Sequence, residues 1–211
     1  MNFAMTTDVT QLFDECLPVE IQSAISGALT RAYDFTEALI LKNPLLGGAL
    51  SGDVRPHIRR VAVDACLKEL DGSVQGLRAL IRPNAVGNCQ HVELHAKRIV
   101  LTANYVEAKR QMPRSAVFRK AFSQALNMSL FADEPLEVLP ERPYAHIIHG
   151  GLGRKPSFVV VTIPDVSGQY AVYSRSLAVA AHSTDAPVEH IHDAVVSQLK
   201  ISIQNEGTGT N

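Results

Sequence analysis

Three extended runs, Tyr144–His149, Ser157–Ile163 and Gln169–Leu177, are separated only by Gly150–Lys155 and Pro164–Gly168. Connections this short cannot carry a crossover, so the runs have to pair antiparallel, as a meander. Phe158-Val159-Val160-Val161 lacks polar alternation, which predicts a central strand covered on both faces.

The N-terminal part supplies helices for that cover. From Val19 to Lys42 the residues Ile21, Ile25, Ala28, Leu29, Ala32, Phe35 and Leu39 recur at helical spacing. Pro18 suits the first turn of this helix, and Asn43-Pro44 ends it. A shorter helix runs before it from Thr7 or Asp8 to Leu17. Another follows, capped by Asp53 with Pro56 in its first turn; its stripe is Ile58, Val61, Ala62, Ala65, Cys66 and Leu70, and Asp71-Gly72 closes it. Pro113-Arg114-Ser115 starts a helix to about Phe131, buried through Phe118, Ala121, Phe122, Ala125 and Leu130. Asp185 and Pro187 open a last one, to about Lys200.

Residues 90–106 read as extended, but their parity changes. Odd positions are polar at His91, Glu93, His95 and Lys97, and apolar at Ile99 and Leu101. One regular strand cannot hold one face outward through that switch, so a turn or bulge is expected near His95–Arg98, carrying His95 away from His91.

The expected class is therefore α+β: a helical N-terminal part packed on a small, mainly antiparallel sheet with flanking helices. The chain reads as a single unit over 1–211. A soft boundary near 72–88 separates a helical part (1–71) from a mixed part (89–205), and 206–211 form a disordered tail.

With 46% apolar and 19% charged residues, the composition is that of a globular protein. No run of about 18 apolar residues suggests a membrane span, and the first residues lack a signal-peptide pattern. Three distant cysteines, Cys16, Cys66 and Cys89, argue against a disulfide framework. Together these favour the cytoplasm.

The net charge of −1 selects no partner. Within 97–120, however, Lys97, Arg98, Lys109, Arg110, Arg114, Arg119 and Lys120 stand against the single acid Glu107, a local net charge of +6. Were Ser115 the cap of the helix after Pro113, three of these cations would crowd its positive end, which suits a bound anion. The glycine loop His149–Lys155 adds Arg154 and Lys155, although its spacing fits neither a Walker loop nor a dinucleotide fingerprint.

Three patterns bear on catalysis. His91, Glu93 and His95 alternate as metal ligands on one strand face would. Glu107-Ala108-Lys109 matches the Glu-x-Lys half of a restriction-type nuclease core, with Glu93 as the strand acid. His190 and Asp193 fall on the outer side of the last helix, as a surface pair. None of these outweighs its structural reading, so no metal, cofactor or catalytic residue is assigned.

The sequence favours a non-enzymatic binding protein using the 97–120 basic surface, with Arg154 and Lys155, against a nucleic acid or an acidic protein. The alternatives are a protein-interaction module (an antitoxin-, inhibitor- or immunity-like hetero-partner, or a homo-oligomeric assembly subunit) and a metal-dependent nuclease or hydrolase using His91, Glu93, Glu107 and Lys109.

Overall fold

The computed structural model describes residues 3–48, 51–84, 89–126 and 143–179. Helices α1 (Phe3–Cys16), α2 (Val19–Lys42) and α3 (Ser51–Lys68) precede strands β1 (Leu77–Pro83), β2 (Gln90–Ala96) and β3 (Ile99–Tyr105). Helix α4 (Val117–Leu126) leads to β4 (Tyr144–Gly150), β5 (Phe158–Pro164) and β6 (Ala171–Leu177). The class is α+β, as the sequence implied.

All six strands form one sheet in chain order. Every pairing is antiparallel except β3 with β4, where Val100 lies beside Tyr144 and Tyr105 beside His149. The sheet is thus two antiparallel meanders joined along one parallel seam, and the chain crosses that seam through residues 106–143.

Helices α1 to α3 share one core with the first face of the sheet. Phe13, Ile25, Leu29, Val61, Cys66, Leu94, Leu101, Ile147 and Val161 belong to it. On the second face Val106, Ile148 and Val160 form a smaller cluster with Met112 and Phe158 packed against it. Strand β5 is therefore covered on both sides, which explains why its apolar run does not alternate. Helix α4 lies on this second face. Phe118 stacks on His91 with centroids 4.3 Å apart, and Phe122 stacks on Tyr144 at 5.1 Å.

Several local expectations are corrected. Pro18 is the N-cap of α2, one position outside the helix. Helix α1 begins at Phe3, before Thr7. Helix α3 begins at Ser51, two residues before Asp53, so Pro56 lies inside it, and it stops at Lys68. The third run of the meander begins at Ala171 rather than Gln169. The turn after β2 falls at Lys97-Arg98, with Ala96 paired to Ile99 and Lys97 at φ 50°. It comes after His95, so it repairs the parity without moving His95 off the face it shares with His91 and Glu93.

Strand β1 was not anticipated. The cap of α4 is Ala116, whose carbonyl accepts the Lys120 amide at 2.9 Å; Ser115 lies one residue earlier. Ala121 is exposed rather than buried. The expected helix over 185–200, its pair His190 and Asp193, Leu130, Phe131 and the tail lie outside the described residues.

Candidate functional site

The alternation of β3 and β4 sends a polar set to the second face: Thr102 and Asn104 from β3, Tyr144 and His146 from β4. All four are buried, so their polar atoms have to pair with one another. The Thr102 and Tyr144 hydroxyls lie 2.6 Å apart. The Asn104 side-chain amide donates to the Thr102 carbonyl at 3.0 Å and to His146 Nδ1 at 3.1 Å. Accepting at Nδ1 leaves the ring proton on Nε2, as a donor. Burial, then the nearby Arg119 charge, pushes His146 down to about 3, so the imidazole is neutral at physiological pH.

Helix α4 locks onto this set through Arg119. Its Nη1 donates to Asn104 Oδ1 at 2.8 Å and its Nη2 to the Arg114 carbonyl at 2.6 Å, while its Nε is buried without an acceptor. Burial holds the guanidinium below its ordinary pKa. One turn along the helix, Ser123 is 0% exposed and its Oγ has no partner.

Arg119 and Ser123 line a cleft of about 250 Å³. The other walls are residues 112–116, Lys120, His146 and the β5–β6 turn at Ser167–Gln169. Gly168 sits in that turn at φ 73°, where a Cβ would come within 3.3 Å of Ser123 Oγ. Among the described residues no carboxylate lines the cleft. Guanidinium, ammonium, hydroxyl and imidazole N–H groups face one another across it, beside the first turn of α4, which adds its own partial positive charge. Such a lining offers hydrogen-bond donors and positive charge.

The cations singled out from sequence divide into separate groups. Arg114, Arg119 and Lys120 line the cleft, with Ser115 beside them. Lys109 and Arg110 are exposed in the segment after β3. Lys97 and Arg98 are exposed at the opposite end of that strand, about 20 Å away by the rise of an extended chain. Arg154 is paired with Asp34 of α2 at 2.6 Å, while Lys155 is exposed in the β4–β5 loop. The basic stretch is thus not one continuous patch.

Glu93 is held on β2 by His95 Nε2 at 3.2 Å, His91 Nε2 at 3.5 Å and Arg82 Nε at 3.7 Å. It lies opposite Thr102, while Glu107 is exposed beyond the far end of β3. Glu93, Glu107 and Lys109 are not brought together. Among the described residues no group of three His, Cys, Asp or Glu side chains could hold a metal ion, and no helix is long and apolar enough to cross a membrane.

Sequence reasoning missed Ser123 and Asn104. Ser123 carried no readable signal. Asn104 did carry one, as an amide inside an otherwise strand-forming run.

No protein-family model, no curated protein and no solved structure matches the chain.

Proposed function

We propose that the protein is a non-enzymatic binder of a phosphorylated ligand, seating one phosphoryl group in the cleft between α4 and the β5–β6 turn. The observation that carries this reading is the buried, partnerless Ser123 hydroxyl within a wall of Arg114, Arg119, Lys120 and His146. An unsatisfied buried hydroxyl costs about 1–3 kcal/mol, and a phosphate oxygen would relieve it. Arg119 is already oriented by Asn104, so little side-chain freedom remains to be lost on binding. Arg114 and Lys120 add charge, with no acid lining the cleft among the described residues.

Among the described residues the cleft is lined by cations, hydroxyls and His146, a set that supports binding of an anion. The exposed Lys109 and Arg110 extend the positive field outward and suit a ligand that continues past its phosphate, a nucleic acid among them.

Calorimetric titration of the full chain with inorganic phosphate and pyrophosphate at low ionic strength tests this. Saturable binding is expected, weakened at least about tenfold when Arg114 and Lys120 are both changed to Ala. An oligonucleotide mobility shift lost in the same variant would identify nucleic acid as the source of the phosphate. No binding of either phosphate, or an affinity indifferent to the two substitutions, would reject the assignment.

A further inference from the structure

We propose a second site on the other side of the sheet: the cavity between α3 and the ends of β3 and β4 binds a small organic carboxylate with an apolar or aromatic body. The cavity is about 170 Å³ and shares no residue with the α4 cleft. Its apolar walls come from Pro56, Val63, Ala103 and Leu152, and the Tyr105 and His149 rings border it. Such walls favour a compact apolar body over a hydrated inorganic ion.

The polar groups of the cavity ask for an acceptor. Arg59 is 3% exposed, with its Nη1 donating to the Gly151 carbonyl at 2.6 Å and its Nη2 to Glu37 at 2.7 Å. Its Nε is buried with no acceptor. Arg55 and Arg60 also line the cavity, and Glu37 lies 3.0 Å from Arg55 Nε, so three guanidiniums stand against one committed carboxylate.

The remaining acid is Asp64. It is 6% exposed and weakly held, with the Val92 amide at 3.4 Å and Arg60 at 3.7 Å. The charged and titratable groups around it are Arg55, Arg59 and Arg60 of α3, Tyr105 of β3 and His149 of β4; β2 offers only the Val92 amide. Burial raises Asp64 to about 7 against the opposing pull of Arg60, and His149 is neutral. A protonated Asp64 is a hydrogen-bond donor. A bound carboxylate would accept from Asp64 and from the Arg59 side, leaving its apolar body against Val63 and Ala103.

Benzoate is a suitable probe, with benzyl alcohol as its uncharged counterpart and inorganic phosphate as the hydrated anion. In an NMR titration of the full chain, benzoate is expected to shift the Val63, Ala103 and Leu152 amides saturably. Gly168 and Gln169, which report on the α4 cleft, should stay still, so this site can fail without the phosphate reading failing, and the reverse. Benzyl alcohol and phosphate should bind here at least about tenfold more weakly. Affinity for benzoate should fall about tenfold per pH unit above the Asp64 transition, and Asp64→Asn should abolish that dependence.

Ala103→Leu, which fills the cavity, should remove binding. If that variant does not fold, the near-isosteric Asp64→Asn still decides through its pH profile. Equal binding of benzyl alcohol, preferential binding of phosphate, no shifts at the three cavity amides, or pH dependence unchanged in Asp64→Asn would each overturn the proposal.

Discussion

His146 and His149, three residues apart on β4, face opposite layers of the protein. His149 Nδ1 lies 2.9 Å from the Tyr33 hydroxyl of α2, while His146 Nδ1 accepts from Asn104 beside α4. Each is buried in a place that cannot easily hold a cation, since Arg59 stands near one and Arg119 near the other.

Acid should therefore unfold the protein through these two rings. Burial, reinforced by the neighbouring guanidinium, lowers each from 6.5 to about 3 in the folded state. Their contribution is complete above the unfolded value and is lost as the pH falls from 6.5 towards 3, on the order of a few kcal/mol each. Denaturant midpoints measured across that range should drop with acidification. His149→Gln and His146→Gln should each flatten the profile; a profile unaltered in both would contradict this account.

Asp64 acts with the opposite sign. Its carboxyl is raised from 3.8 to about 7, so its contribution is complete below about pH 4 and is lost as the pH rises through 7. Asp64→Asn keeps an acceptor for the Val92 amide and removes the charge. The variant should match the wild type below about pH 4, exceed it increasingly in melting temperature between pH 4 and 7, and keep that margin above neutrality. Lower stability throughout would mean that the carboxylate is held better than its contacts indicate.

Glu37 is the counter-ion of Arg59, whose side chain is 4% exposed, and it also meets Arg55. Glu37→Gln strands a buried guanidinium and should cost about 3–5 kcal/mol. Chemical denaturation measures it directly, and a loss below 1 kcal/mol, roughly the value of a surface pair, would show that the contact is solvent-screened.

Gly150 closes β4 where β3 ends. A Cβ there would lie 2.3 Å from the Val106 carbonyl and 2.5 Å from the Phe158 ring. Gly150→Ala should destabilise by about 1–3 kcal/mol by prying β3 from β4. Tolerance without a change in midpoint would show that the seam gives more easily than its spacing suggests.

Arg119→Lys keeps the charge and loses the fork that joins Asn104 to the Arg114 carbonyl. Undocking of α4 should cost about 1–3 kcal/mol and weaken phosphate binding together with it. Phosphate affinity equal to that of the wild type would exclude Arg119 from the receptor.

Some of this was legible from residue order and some was not. The span of α2 followed from its apolar period and from Asn43-Pro44 after it, although Pro18 caps the helix instead of entering its first turn. The β2–β3 turn followed from the switch of polar parity across Lys97-Arg98. Strand β1 escaped because it is an edge: Arg78, Ile81, Arg82 and Pro83 are exposed, and its charges and proline protect that edge instead of advertising a strand. The cations of the cleft were visible, but not their separation from Lys97 and Arg98, which depends on the direction of β3. Asp64 could have been noticed as the lone acid within Val61–Leu67, a run that is buried throughout.

The parallel seam also governs the order of assembly. Within each meander neighbouring strands are joined by short links, so pairing there involves little loss of chain entropy. Joining β3 to β4 requires the whole of 106–143 to be looped back, a long-range closure of the kind that slows folding. The α4 cleft takes its walls from that looped segment and from the second meander, and Asn104 of β3 orients its Arg119, so the cleft is complete only when that last closure is made, and a half-folded chain holds only part of it.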